Sequence, residues 1–462
     1  MFLPINGRVA IIDNEIGEVE PLFKIFSKNR IPYTFVKGDD MDYLPQENDE
    51  SNDIRLVFLD LNLLGNRTPE PKEVKSSLYP ILKRVISKNN FPYSIILWSK
   101  QEHQYSEVLK ELFEEGLSDR RPITIESFIK SDFFDLEGNV IEDSGKDIIE
   151  EIKEILLKHQ AYSTLVYWEN KVHKSADNVL QTIFNAYEDE YWVNKTNFII
   201  SKLGEAYLGF KNYKTSNYIE KTKGSLQAFN SIFYDSLESD INLISHIEEQ
   251  EFLTFDESLF DKKKVLDTIN FKLLASTTEI DLDYTGTVSE DINLNSNKIF
   301  ETLLNDSFDR YSTTPEINGY VALDSKKQNS ELNKISSAKR KKIREEWNKI
   351  YLVVTPLCDK VQDKHRKIRV IKGFIINDEY KKYIDNKSEA IYISPSFYCE
   401  RTNKSKVIVL NFRYFFTFPT EKKLLESLKY VNPIFRLRSS VISEIQSKLA
   451  RHVSRQGILY TE

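Results

Sequence analysis

Short apolar runs alternate with amphipathic segments along the first 160 residues of the chain. The apolar runs lie at 8–12, 33–36, 54–59, 94–98 and 123–129. Between them, apolar residues recur at the three- and four-residue spacing of helices, as from Val108 to Phe113. Short strands that are apolar throughout suit a parallel sheet buried on both faces, with right-handed helical crossovers. The pattern predicts an α/β fold, a doubly wound five-stranded parallel sheet with four or five helices.

Proline usage and periodicity predict two further regions. None of the 14 prolines lies between residues 123 and 314, which favours long helices because proline interrupts them. Apolar runs at 351–354, 368–376, 390–393 and 407–416 predict strands, followed by a last amphipathic helix that packs on them. We therefore expect a doubly wound domain at 1–160, a helical region at 161–345 and a small β-rich domain with a C-terminal helix at 346–462.

Composition and charge narrow the classes of function. The formal net charge of −7 argues against a nucleic-acid partner, since phosphate binding needs a dominant basic surface. The basic run at 339–342 is followed by Glu345 and Glu346, which indicates a solvated helical face. No signal-peptide pattern, membrane-length apolar run or CxxC pair occurs, so we expect a cytoplasmic protein without a membrane partner.

Polar residues with coherent chemistry follow the predicted strands. The first strand ends in Asp13-Asn14-Glu15, the third in Asp60, the fourth in Ser99 and the fifth in Lys130. In a doubly wound sheet, reactive groups lie just beyond the carboxyl ends of the strands. These side chains are therefore expected to converge at one edge of the sheet.

The chemistry expected at this edge is phosphoryl transfer. Converging carboxylates hold a hard cation such as Mg²⁺, and the predicted ligands are Asp13, Glu15 and Asp60. Asp60 is the predicted nucleophile toward a phosphoryl group. Ser99 and Lys130 are predicted to bind the transferred oxygens.

The order of these positions resembles the motif of the response-regulator receiver family. The segments Ile11-Ile-Asp-Asn-Glu15 and Leu56-Val-Phe-Leu-Asp60, with Ser99 and Lys130, carry the resemblance, which covers residues 1 to about 160. It implies that a histidine kinase donates a phosphoryl group to Asp60 with Mg²⁺ bound. Asp13 with either Asn14 or Glu15 would then match the family's acidic cluster, Ser99 its hydroxyl and Lys130 its lysine.

The sequence also departs from the receiver pattern. Asn14 stands where the family usually has a second acid, Ser131 where proline usually follows the lysine, and Ser127 where a switch aromatic is common, although Phe128 is adjacent. The intervals from Asp60 to Ser99 and onward to Lys130 are longer than usual. These departures indicate an elaborated branch and leave the usual conformational readout open.

The leading hypothesis is a phosphorelay protein that signals to a downstream effector protein or buffers phosphate for a partner. Receiver-fused proteins of this length resemble those of divergent antiphage two-component systems of the Detocs type. One alternative is a phosphorylation-gated effector enzyme whose C-terminal site pairs Cys358 with His365 or His452. The other is a pseudo-receiver scaffold that takes no phosphate. We expect a phosphoacceptor rather than a dedicated enzyme.

Overall fold

The computed structural model describes most of the chain, which forms two compact units. The units comprise Met1–Thr196 with Phe229–Thr254, and Asn197–Ala228 with Phe255–Glu462. The described residues are 9–46, 53–61, 70–88, 90–99, 105–135, 139–141, 147–183, 185, 190–244, 255–278, 281–362, 364, 367–419 and 431–454, with 41, 99, 418 and 419 described by their backbone alone. No helix among these residues is both long and apolar enough to cross a bilayer.

A five-stranded sheet organises the first unit. Its strands are β1 (Val9–Asp13), β2 (Tyr33–Lys37), β3 (Leu56–Leu59), β4 (Ser94–Ser99) and β5 (Ile125–Ile129). They pair in the order β2-β1-β3-β4-β5, and every pair is parallel. The fold class predicted from the sequence is confirmed, and the carboxyl ends of β1, β3 and β5 lie at one edge of the sheet.

Helices cover both faces of this sheet because alternate strand residues point to opposite sides. The helices are α1 (Ile16–Lys28), α2 (Pro71–Val85), α3 (Ser106–Glu115), α4 (Ile148–Lys158) and α5 (Gln160–Ile183). One core packs Ile12, Leu59 and the neighbouring strand positions against α2 and α3. The other packs Phe58, Trp98 and their neighbours against α1, α4 and the start of α5.

The connection from β2 to β3 differs from the other crossovers. Its described residues contain a short 3₁₀ turn, Met41–Tyr43, and no α-helix. Leu44 is buried in the core on the α2 side. The Arg84 guanidinium near the end of α2 donates hydrogen bonds to the carbonyls of Leu44 and Pro45, which fixes this connection against the helix.

The middle of the chain is helical, as predicted. It contains α6 (Trp192–Leu208), α7 (Phe210–Thr215), α8 (Tyr218–Asn242) and α9 (Lys262–Leu274). Helices α6 and α8 approach closely at two glycines. A Cβ atom at Gly204 would lie 2.7 Å from the Ser225 hydroxyl, and one at Gly224 would lie 2.8 Å from Leu208 Cγ. Glycine is required there because any side chain would push the helices apart.

An eight-stranded antiparallel sheet forms the core of the second unit. Its path is β10-β12-β9-β8-β7-β13-β6, with β11 paired to β12. The strands are β6 (Ala275–Ser276), β7 (Thr287–Asp291), β8 (Asn348–Val353), β9 (Lys367–Asn377), β10 (Ile391–Ile393), β11 (Phe397–Cys399), β12 (Lys404–Pro419) and β13 (Val431–Leu437). The β-rich region is confirmed, and β6 and β7 join it from before residue 346. The domain bounds drawn from the sequence stay a prediction.

Besides α9, the helices described beside this sheet are α10 (Asn297–Ser307), α11 (Ser325–Glu346), α12 (Leu357–Val361) and α13 (Ser439–Val453). Helix α13 packs on one face through Ile442, Ile445 and Leu449, as its apolar spacing predicts. Helix α10 and Ile343 of α11 pack on the other face.

A glycine in β9 tests the packing of the second sheet. Gly373 pairs with Leu410 of β12, and a Cβ atom there would lie 2.2 Å from the Val409 carbonyl oxygen. We expect Gly373→Ala to destabilise the second unit by about 1 to 3 kcal/mol, because the two strands must separate to admit the methyl group. The measurement is hydrogen exchange of β9 and β12 peptides. Gly17→Ala is the control, since a Cβ atom there meets nothing within 4 Å, and equal protection in wild type and Gly373→Ala would contradict the packing argument.

Candidate acidic centre

Three of the residues predicted from strand ends meet at the carboxyl edge of the parallel sheet. Asp13 is the last residue of β1, Asp60 directly follows β3, and Lys130 directly follows β5. Their relative exposures are 0%, 2% and 8%. Buried charges of this kind need partners, because an isolated ion is strongly disfavoured away from water.

The Lys130 ammonium group is the partner that the buried carboxylates share. Its Nζ atom lies 3.2 Å from Asp13 Oδ2 and 3.6 Å from Asp60 Oδ2. It also lies 2.9 Å from Glu18 Oε2, a residue in the first turn of α1. Carboxylate oxygens of Asp13, Glu18 and Asp60 lie within 4.8 Å of one another. We call these four residues the acidic centre.

Backbone hydrogen bonds fix the two aspartates in place. Asp13 Oδ1 accepts a hydrogen bond from the Glu15 N–H at 2.8 Å, at the start of α1. The Asp60 N–H donates to the Ile12 carbonyl at 2.9 Å, so the parallel ladder continues one residue beyond β3. The sheet edge therefore positions the Asp60 backbone, and the start of α1 holds the Asp13 carboxylate.

The Lys130 backbone is held by a short turn beneath an aromatic cluster. Its carbonyl accepts hydrogen bonds from the N–H groups of Phe133 and Phe134. Both rings pack on Trp98, and Phe133 also packs on Phe128. This packing directs Lys130 toward the aspartates without the proline that usually follows the lysine in receivers.

Burial and charge move the pKa values of the centre. Burial, together with the nearby Asp60 charge, raises the pKa of Asp13 to about 6 against the opposing effect of Lys130. Burial lowers the pKa of Lys130, but the charges of Asp60, Asp13 and Glu18 outweigh it and leave that pKa above its usual value. Lys130 is therefore cationic at neutral pH, and ionisation of Asp13 is disfavoured by its burial.

Two predicted residues lie elsewhere or remain unplaced. Glu15, predicted as a metal ligand, is the exposed N-cap residue of α1, and it lies outside the group of carboxylates within 4.8 Å. Ser99 ends β4 and pairs in register with Ile129 of β5, but its side chain lies outside the described residues. Asn14 is half-buried. The roles predicted for Glu15 and Ser99 stay predictions.

Glu18 is the residue that sequence reasoning missed. Asp13, Asp60 and Lys130 end a strand or directly follow one, whereas Glu18 reaches the site because α1 begins three residues after Asp13. The available signal was its place in the first turn of a helix whose start adjoins the strand end.

The proposed pairing of a cysteine and a histidine has no contact to support it among the described residues. The Cys358 thiol is exposed, and its nearest hydrogen-bond partner is Asp359 Oδ1 at 3.7 Å. The His452 ring packs against Phe412, with a centroid distance of 6.1 Å. His365 lies outside the described residues.

Comparison with known proteins adds no relative. Neither a protein-family model, nor a curated protein, nor a solved structure matches the chain. The chain is similar to receiver domains in its sheet topology and in the acidic residues at the sheet edge. The five-stranded parallel sheet is receiver-like in topology, and Asp13, Glu18 and Asp60 form an acidic cluster at its carboxyl edge.

The donor set of the acidic centre suits a divalent metal ion. Three carboxylates converge within 4.8 Å of one another beside the Lys130 ammonium group. Oxygen donors of this kind are what Mg²⁺ and other hard cations prefer. The residues present therefore fit such an ion.

The raised pKa of Asp13 predicts how stability depends on pH without metal. A carboxyl group whose pKa rises on folding stabilises the folded state fully below 3.8, and this contribution is lost as the pH rises through about 6. We expect Asp13→Asn to stabilise the first unit by roughly 1 to 3 kcal/mol at pH 8. At pH 4 we expect little gain, because the side chain at position 13 of the folded protein is then uncharged in wild type as well as in the variant.

The measurement is hydrogen exchange of β1 and β3 peptides in chelator at the two pH values. Glu20→Gln, an exposed change on α1, is the control. An Asp13→Asn variant that is less protected than wild type at pH 8 would contradict the assigned cost of this charge.

Proposed function

We propose that the first unit is a phosphoacceptor in a phosphorelay, with Asp60 receiving a phosphoryl group from a histidine kinase. The observation that carries the proposal is the convergence of Asp13, Glu18 and Asp60 on the Lys130 ammonium at the carboxyl edge of a receiver-like sheet. Carboxylate nucleophile, cation-binding carboxylates and a fixed ammonium are the groups that phosphoryl transfer needs.

The chain's own residues account for the transfer step. An Asp60 oxygen forms a bond to phosphorus while the bond from phosphorus to the kinase histidine breaks, and the imidazole leaves with the electron pair. Lys130 stands ready to pair with a phosphoryl oxygen, because its ammonium already lies 3.6 Å from Asp60 Oδ2. Asp13, Glu18 and Asp60 would hold Mg²⁺, which when bound neutralises charge on the phosphoryl oxygens. The product is an aspartyl phosphate.

In this proposal, the phosphorylated protein acts by signalling to a partner protein and not by catalysing a further reaction. Phosphorylation replaces the single negative charge of the Asp60 carboxylate with the charge of roughly −2 of an acyl phosphate, beside Lys130, whose turn packs on the aromatic cluster of Trp98, Phe133 and Phe134. The architecture of a receiver-like unit followed by helical and β-rich regions is the basis for extending the proposal to signalling or phosphate buffering, as in antiphage two-component systems.

Phosphorylation of the intact chain tests the proposal. After incubation with acetyl phosphate and Mg²⁺, we expect the mass of wild type to increase by one phosphoryl group and that of Asp60→Asn to stay unchanged. Asp42→Asn, an exposed change on the β2–β3 connection, is the control and should behave as wild type. No increase in wild type, with the cognate histidine kinase also failing, would sink the proposal and favour the pseudo-receiver scaffold.

A pair of glutamate variants on α1 tests which residue belongs to the site. We expect Glu18→Gln to raise the Mg²⁺ concentration for half-maximal phosphorylation by roughly tenfold, since it removes one charged donor. Glu15→Gln should leave that concentration unchanged, because Glu15 is exposed and lies outside the carboxylate cluster. The measurement is the phosphorylated fraction across a Mg²⁺ titration, and the reverse ranking of the two variants would restore Glu15 as the ligand.

A further inference from the structure

The second unit contains a cavity that is separate from the acidic centre. Its volume is about 600 Å³, and its walls come from α9, the junction of α11 with β8, and strands β7, β9, β11, β12 and β13. Cavities of roughly 300 to 1,000 Å³ with aromatic walls and a few convergent polar groups are typical of small-molecule sites. All of its lining residues belong to the second unit.

The floor of the cavity is apolar and largely aromatic. Ile375, Phe397 and Phe435 line it and are 4%, 3% and 6% exposed. The Phe397 ring stacks on Phe271 at a centroid distance of 5.5 Å, and Phe435 meets both rings edge-on. Phe271 is half-buried and lines the same cavity. This floor suits a flat apolar body that can stack on aromatic rings.

A chain of three polar side chains lines the cavity beside this floor. Lys406 Nζ donates to Asn348 Oδ1 at 3.1 Å, and Asn348 Nδ2 donates to Glu290 Oε1 at 2.6 Å. Lys406 is 5% exposed, whereas Asn348 and Glu290 are half-buried. The Glu346 carboxylate also lines the cavity and is close enough for its charge to interact with that of Lys406, whose side-chain hydrogen bond goes to the neutral amide. The ammonium therefore retains N–H groups for a further acceptor.

The hydrogen-bonding capacity left in this chain defines what a ligand must offer. An ammonium group has three N–H bonds, a primary amide has two and a carboxylate accepts several hydrogen bonds. Beyond the bonds that join the three residues, Lys406 and Asn348 can still donate while Glu290 can still accept. A complementary ligand therefore carries an acceptor and N–H donors along one edge of a flat ring.

We propose that this cavity binds a purine base, with guanine as the preferred base. Guanine has a carbonyl oxygen at one end of an edge and N–H donors at the other, so Lys406 and Asn348 would donate to the carbonyl while Glu290 accepts from the N–H groups. The faces of the base would lie against the aromatic floor, in the way that proteins stack and edge-read an unpaired base.

The mouth of the cavity does not select for phosphate. Lys272 and Arg401 line it together with Glu345 and Glu400, and all four side chains are exposed. Because charges of both signs lie at the mouth, they do not favour an anionic phosphate, and the base is the part of the ligand that is recognised. A nucleoside and its nucleotide share this chemistry, so the test includes both.

Isothermal titration of the full chain with guanosine and with GMP, IMP, AMP, CMP and UMP tests the proposal. We expect guanosine and GMP to bind equally, and more tightly than the other four nucleotides. IMP should bind roughly tenfold more weakly, because its base lacks the exocyclic amine that donates to Glu290. Equal affinity for guanosine and GMP would show that only the nucleoside part is recognised. Tighter binding of GMP would add a phosphate contact to the base site.

Variants locate the binding in this cavity. Lys406→Met keeps an unbranched side chain as far as the ε position and removes the ammonium, and Glu290→Gln keeps the shape and removes the charge. We expect each to weaken GMP binding at least roughly tenfold. Lys367→Met, an exposed lysine of β9 outside the cavity lining, should bind as wild type. Thermal unfolding of each variant confirms that it is folded.

Three results would overturn the proposal. One is the absence of measurable heat with every purine at millimolar ligand. Another is unchanged GMP affinity in folded Lys406→Met and Glu290→Gln. The third is equal binding of purine and pyrimidine nucleotides, which would mean that the edge of the base is not recognised.

Discussion

The contact of one ammonium group with three carboxylates is the constraint on which the first unit depends. Asp13 and Asp60 are both nearly inaccessible to water, and the Lys130 ammonium lies within ion-pair distance of both. Even so, the raised pKa of Asp13 shows that Lys130 does not fully offset the burial of that carboxylate. Ionisation of Asp13 therefore has a cost in stability that a bound cation would relieve. The burial of these carboxylates therefore underlies both the structure of the site and its proposed chemistry.

Parallel topology is what brings these residues together. Because β1, β3 and β5 run in the same direction, their carboxyl ends share one edge, although Asp13 and Lys130 are 117 residues apart. Two separate cores hold that edge rigid from both faces. The second unit uses a different principle, in which an antiparallel sheet and α9 surround a cavity with an aromatic floor.

The sequence was sufficient where chain order and periodicity determine position. Continuous apolar runs located the parallel strands, and the residues directly after them supplied Asp13, Asp60 and Lys130. Glu18 was not predicted, because a helical turn, and not a position next to a strand, places it at the site. The cavity was not predicted, because Glu290, Asn348 and Lys406 come from three strands. They are brought together by the pairing of β7 with β8 and by the sheet order. Long-range registers of this kind leave no local signal in one sequence.

A crystal structure of the chain with Mg²⁺ and beryllofluoride tests the central claim most directly, since beryllofluoride mimics an acyl phosphate on a carboxylate. The account predicts beryllofluoride on the Asp60 carboxylate, Lys130 against one of its fluorines, and the cation bound by Asp13, Glu18 and Asp60. Beryllofluoride elsewhere, or a cation bound through Glu15 with Lys130 still paired to both aspartates, would contradict it.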